Sequence, residues 1–208
     1  MIQAQDAKQI GAFVDGGSGH TGIICYSYSE SGSFCQICKE SIKNAHGGNL
    51  PLTEVLTNGT PESFSEFIDQ LKKVLFDMSE QPTLLYVGAT GGLRDSIDKG
   101  KITNTDIQAF RTALENTFCN TTDTGIDVVK FVILDGVEEA TYETEAAQII
   151  WDQQSNTMFP LKDNVSEVAE KRPIGLFSGG GQSMQLGRLN ENPLSFNFST
   201  FNEEFEEK

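Results

Sequence analysis

Phe13-Val14-Asp15-Gly16-Gly17-Ser18-Gly19-His20-Thr21 sets an apolar run against a turn of glycine and serine, and a second apolar run follows it. This is the sequence of a β-hairpin whose turn can wrap an anion. Glycine lets a backbone approach closely and tolerates positive φ. Consecutive N–H groups in such a turn form a concave nest for phosphate oxygens. The pattern returns as Leu176-Phe177-Ser178-Gly179-Gly180-Gly181-Gln182-Ser183-Met184. Two such loops predict one polyphosphate held from two sides. The copies differ at one place: the first offers Asp15 where the second offers Ser178.

Outward from these loops, residues 11–15 and 21–28 read as hairpin strands and 33–39 as a third strand. Residues 44–59, rich in Gly, Asn and Thr, read as loop. Thr60 or Ser63 then caps an amphipathic helix. Pro61 suits its first turn, Glu62 complements its dipole, and Phe64, Phe67, Ile68, Leu71, Val74, Leu75 and Met78 fall at helical spacing. Leu84-Leu85-Tyr86-Val87 reads as a buried strand. Thr105-Asp106 is placed to cap a second helix carrying Ile107, Phe110, Leu114 and Phe118. A strand over 128–134 ends at Asp135-Gly136, and Glu138-Glu139-Ala140 opens a third helix. Alternating strands and helices predict an α/β domain around a central sheet. A first lobe is expected over 9–155. Residues 152–170 read as a linker, 170–208 as the start of a second lobe that is begun and not finished, and the last six residues as an acidic, solvated tail.

The 208 residues, 38% of them hydrophobic, suffice for one real core or two small ones. A net charge of −15 carries no electrostatic footprint for a nucleic-acid polymer or an anionic membrane surface. A polyphosphate remains a possible ligand, because backbone amides and a divalent cation supply positive potential locally. No apolar run is long enough for a transmembrane helix. The first residues lack a signal-peptide core, so a complete N-terminus predicts a cytosolic protein. If upstream sequence is missing, the sequons at Asn58, Asn120, Asn164 and Asn197 gain meaning and a secretory or membrane-surface placement is expected. Oligomeric state is not legible. Cys35 and Cys38 form a single CxxC without a second pair, which argues against structural zinc. Reduced cysteines are expected, and disulfides if the chain is exported.

Four segments fall at carboxyl ends of predicted strands, where ligands sit in open α/β sheets. In the first, Gly16, Gly17 and Gly19 supply amides, Ser18, His20 and Thr21 supply donors, and Asp15 can hold a hard cation's water shell. A plain glycine hairpin with a surface aspartate is the competing reading. In the second, Thr90 and Arg94 either meet phosphate or form an N-cap and a solvated arginine. In the third, Glu138 and Glu139 either offer a base for an attacking water or complement a helix dipole. In the fourth, Gly179, Gly180 and Gly181 form a turn with Ser183 and Gln185 close by, or simply a tight hairpin.

Taken in order, DxGSxHT-like Asp15–Thr21, the GATxGxR-like run Gly88-Ala89-Thr90-Gly91-Gly92-Leu93-Arg94, Gly136-Val137-Glu138-Glu139 and Gly180-Gly181-Gln182-Ser183-Met184-Gln185 resemble the four N-terminal motifs of the apyrase family. These are nucleoside di- and triphosphate diphosphohydrolases of the actin-like superfamily. The exopolyphosphatase and guanosine pentaphosphatase branch is similar in its glutamate-alanine pattern, Glu139-Ala140. The resemblance implies an actin-like (ribonuclease-H-like) mixed β-sheet flanked by helices, with a truncated second lobe. It implies Glu139 as general base, with Ser183, Gln185 and Thr90 orienting the water. It implies Gly17, Ser18, Gly19, His20, Thr21, Arg94, Gly180, Gly181, Gln182 and Met184 at the phosphates. It implies Mg²⁺ or Ca²⁺ held through water by Asp15, and weakly by Ser178. The sequence departs from the family at Ser178, where the family has aspartate, and at Met184, where it has threonine. Three functions follow as expectations: metal-activated hydrolysis of nucleoside tri- or diphosphates, nucleotide binding by an impaired fragment or pseudoenzyme, or exopolyphosphatase-like hydrolysis.

Overall fold

Ile10, Ala12 and Val14 are buried while Phe13 and Asp15 are exposed, the period-two alternation of a strand with one face in a core. The computed structural model describes residues 8–29, 34–119, 125–158, 175–179, 183–188 and 194–197. Strand β1 (Lys8–Gly16) pairs antiparallel with β2 (Thr21–Ser29), and β2 with β3 (Phe34–Ile42). On its other side β1 pairs parallel with β4 (Leu84–Ala89), and β4 with β5 (Val128–Ile133). The order is therefore β3-β2-β1-β4-β5. Since β1, β4 and β5 are parallel, with Gly16 beside Ala89 and Ala89 beside Ile133, their carboxyl ends share one edge of the sheet.

Helix α1 (Leu52–Asn58) occupies part of the segment expected as loop. It buries Leu52, Val55 and Leu56 and ends at Gly59, whose φ of 59° is a left-handed stop that glycine meets without strain. Helix α2 (Pro61–Phe76) forms as expected: Thr60 and Ser63 make a reciprocal capping box, with Pro61 in the first turn. Helix α3 (Gly91–Asp98) follows β4 directly. Helix α4 (Asn104–Phe118) is capped by Thr103 and Asp106 rather than by Thr105, because the side chain three residues after the cap closes the box. Two hydrogen bonds from Thr103 hold the Asp106 carboxyl below its ordinary range.

Phe110 centres the core. Its ring lies 5.4 Å from Phe64, 5.5 Å from Phe67 and 5.2 Å from Phe131, each edge-on, so it joins α2, α4 and β5. Fully buried at that junction, Phe110→Ala is expected to cost about 3–5 kcal/mol, read as a fall in the urea midpoint at unchanged slope.

The chain divides into two compact units, Met1–Ile133 and Leu134–Lys208. Helix α5 (Gly136–Met158) therefore groups with the second unit, whereas the sequence reading placed it in a first lobe over 9–155. There it packs on β6 (Gly175–Gly179), β7 (Ser183–Arg188) and β8 (Leu194–Asn197), an antiparallel sheet in that order. The helix runs to Met158, into the segment read as linker. The rest of that segment and the acidic tail lie outside the described residues. No helix among the described residues is long and apolar enough to cross a membrane.

Candidate functional site

Gly17, Ser18, Gly19 and His20 connect β1 to β2 at the shared sheet edge. A side chain on Gly17 would sit 3.0 Å from the carbonyl of His20, a tight contact that the turn avoids by having glycine there. A side chain on Gly19 would meet nothing within 4 Å, so the tip faces open space. Ser18, Gly19 and His20 are exposed. Asn49 reaches across to donate to the Gly19 carbonyl at 3.4 Å.

Asp15 is flanked in register by two glycines, Gly22 on β2 and Gly88 on β4. The space beside Gly22 is open. The carboxylate thus stands at the strand end with no neighbouring side chain on those two positions. Desolvation raises the Asp15 carboxyl above its ordinary range, and the nearby His20 partly offsets this.

The second segment meets the first directly. A Cβ on Gly92 would lie 2.4 Å from the Cβ of Ser18 and 3.0 Å from its Cα. The start of α3 is therefore pressed against the loop, and only the absence of a side chain permits it. Thr90 occupies the N-cap position, yet its side chain makes no capping hydrogen bond; its carbonyl accepts from Leu93 and Arg94. The N–H groups of Gly91 and Gly92 precede the first of these bonds. Thr90 and Arg94 are half-buried. The sequence pattern announced this segment as a motif; the doubled glycine was the signal that its helix touches the loop.

Thr21 has a different role from the one implied for it. Its side chain is fully buried, donating to the Leu50 carbonyl at 2.9 Å and accepting from the Leu52 N–H at 2.9 Å. The Leu50 carbonyl and the Leu52 N–H at the α1 entry are thereby satisfied, and the hydroxyl is engaged inside the core. Thr21→Val leaves the Leu50 carbonyl and the Leu52 N–H without this hydroxyl and is expected to cost ~2–4 kcal/mol in chemical denaturation, with activity per folded molecule unchanged.

In the second unit the two glutamates separate. The Asp135 carboxylate accepts from the N–H of Val137 and of Glu138, each at 2.8 Å, and the Glu138 carboxylate accepts from the Asp135 N–H at 3.0 Å. Asp135 and Glu138 are thus a capping box, which the D-x-x-E spacing could have revealed. Glu139 is half-buried, and its N–H donates to the Asp135 carbonyl at 3.0 Å.

The second glycine hairpin repeats the first in register. Gly16 pairs with Thr21 across the four residues 17–20, and Gly179 with Met184 across the four residues 180–183. Asp15 pairs with Gly22 as Ser178 pairs with Gln185. Gly180, Gly181 and Gln182 lie outside the described residues. A groove of about 1040 Å³ between α2 and α4, lined by residues such as Phe64, Ile68 and Gln108, holds none of the glycine-rich segments.

No family model and no curated protein matches the chain in sequence. Solved structures do resemble it. A nucleoside triphosphate hydrolase from Neospora caninum superposes with a TM-score of 0.52 at 16% identity, over 88% of this chain and 38% of its own. The PPX-GPPA enzyme of Aquifex aeolicus superposes with a TM-score of 0.50 at 16% identity, over 96% of this chain and 56% of its own. The chain therefore spans about two-fifths to just over half the length of these proteins, and what it shares with them is the fold, an α/β mixed sheet of the actin-like kind flanked by helices.

Proposed function

We propose that the chain hydrolyses the terminal phosphoanhydride bond of a nucleoside tri- or diphosphate. One observation carries the reading: an amide-rich loop with an open tip is pressed by Ser18 onto Gly92, beside the Asp15 carboxylate, at the end of parallel strands. Loop amides and a helix start are the elements that bind phosphate. The fold likeness to a nucleoside triphosphate hydrolase supports the same class. Water attacks the terminal phosphorus, Glu139 takes its proton, and the nucleotide oxygen leaves. Ser183, Gln185 and Thr90 orient the water. In the first unit, Gly17, Ser18, Gly19 and His20 of the loop and Arg94 of α3 would contact phosphate, and the same role is proposed for Gly180, Gly181, Gln182 and Met184 in the second glycine hairpin.

Asp15 is a single hard-oxygen donor at the strand end, and no cluster of three metal-ligating side chains occurs among the described residues. That donor set fits an ion that keeps most of its waters, as Mg²⁺ does, more than a protein-caged one. Asp15, with Ser178 as a weak second, would hold Mg²⁺ or Ca²⁺ through water, and the bound ion would neutralise charge on the phosphoryl oxygens. Asp15→Asn is expected to raise the Mg²⁺ needed for half-maximal turnover by roughly tenfold, equivalent to about 1.4 kcal/mol. Stability should move the other way. A carboxyl whose folded pKa is raised costs stability once ionised. The cost is present above the raised pKa and relieved as pH falls through it. Asp15→Asn should therefore leave the melting temperature at neutral pH unchanged or higher, and the difference from wild type should vanish in acid.

The test is phosphate release from ATP, ADP and inorganic polyphosphate with Mg²⁺, Ca²⁺ or EDTA. Release from nucleotides that EDTA stops is the expected result. Polyphosphate preferred in competition would replace it with the exopolyphosphatase-like reading, which the match across 96% of the chain to the PPX-GPPA enzyme favours. Nucleotide binding without release would mark an impaired binding protein, as Ser178 in the register place of Asp15 would allow.

A further inference from the structure

The CxxC pair, Cys35 and Cys38, lies along one strand, β3. Three residues of strand span roughly 10 Å, beyond the ~7 Å that a disulfide bridges. Cys35 pairs instead with Ser27, and Cys38 pairs with Cys25 on β2. Residues directly opposed in an antiparallel ladder have Cα atoms about 4.5–5.5 Å apart, within the disulfide range of about 4.4–6.8 Å. Cys25 is fully buried, and Cys38, half-exposed, packs against the same core cluster. The ladder shifts register immediately after this pair, between Cys25 and Tyr26, and β3 is the edge strand of the sheet.

We infer that Cys25 and Cys38 are a redox-active dithiol, a modification site that a low-molecular-weight disulfide converts to a cross-strand bridge. Cys38 is the reachable sulfur. Its thiolate attacks one sulfur of the reagent, the reagent's S–S bond breaks, and one thiolate leaves. Cys25 then gives up its proton and attacks the Cys38 sulfur, displacing the second thiolate. Two electrons pass from the pair to the reagent, and both cysteine protons end on the two released thiols. Burial, then the adjacent Cys38 and its hydrogen bond, push the Cys25 thiol up to about 12, so Cys25 does not react first. The bridge staples the edge strand to β2, the strand that leaves the phosphate loop at Thr21.

The experiment incubates the full native chain with graded ratios of oxidised to reduced glutathione, quenches in acid, alkylates and maps peptides by mass. The expected result is a Cys25–Cys38 cross-link, with Cys35 and Cys119 still alkylatable. Oxidation should raise the folding equilibrium constant on the order of 100-fold, the effect of closing a loop of this length. Cys35→Ser should keep both results and Cys38→Ser should lose both. A Cys35–Cys38 link, or a mixed disulfide on Cys38 that never closes, would overturn the assignment. Because the mapping is done on the unmodified sequence, a poorly folding variant does not blunt it.

Discussion

Phosphate release is expected to fall by about 10²–10⁴-fold when Glu139 is replaced by glutamine, the usual contribution of a general base, with nucleotide binding expected to persist. Glutamine keeps the shape of the side chain and its hydrogen-bonding reach, yet it accepts no proton from water at neutral pH. The neighbouring residue supplies the control. Glu138 is engaged with the Asp135 N–H at 3.0 Å, and Asp135 in turn holds the Val137 and Glu138 N–H groups in the first turn of α5. Glu138→Gln should therefore weaken the helix start, lowering the melting temperature slightly, and leave turnover per folded molecule within a few-fold. Both residues are acidic and both open the same helix, so dipole complementarity alone would give the two variants the same modest effect. Loss of turnover in Glu138→Gln with turnover kept in Glu139→Gln would remove Glu139 as the base.

Much of this arrangement was legible in the sequence because it rests on local rules. Hairpin, helix and strand followed from glycine turns and from apolar periods of two and of 3.6. The misreadings come from places where packing decides. Helix α1 is seven residues long, and its Thr and Asn content disguised Leu52, Val55 and Leu56, which the core beneath Gly16 recruits. Thr21 looked like a phosphate donor because a hydroxyl next to a glycine loop reads that way. Only the three-dimensional path of 50–52 shows that its oxygen closes the α1 entry. That finding bears on the second hairpin. Met184 holds the register place of Thr21, so the methionine that stands where the apyrase motif has threonine falls at a position that is structural in the first hairpin. Ser178 holds the place of Asp15, and that departure is the chemical one, since it exchanges a carboxylate for a neutral hydroxyl.

Gly92→Ala is expected to disable the phosphate binding proposed for the loop 17–20. The added methyl would lie 2.4 Å from the Ser18 Cβ, a distance no packed pair sustains, and neither atom is the free end of a flexible chain. Helix propensity favours the alanine by about 1 kcal/mol, whereas overpacking at a buried contact costs about 1–3 kcal/mol. The loop, open at Gly19, is the partner that yields. Stability should thus change little, while nucleotide affinity falls roughly 10–100-fold, equivalent to about 1.4–2.8 kcal/mol. Ser18→Gly removes the clashing carbon but leaves the Ser18 Cα position 3.0 Å away, a contact that a shift of a few tenths of an ångström relieves. In the Ser18→Gly background, Gly92→Ala should therefore cost much less affinity than it does in the original chain, a coupling of about 0.5–3 kcal/mol between touching residues. Equal costs in both backgrounds would mean that the start of α3 does not set the shape of the loop. Coupling with affinity intact throughout would mean the contact is real but the loop does not bind phosphate, which separates the fold's geometry from the function proposed for it.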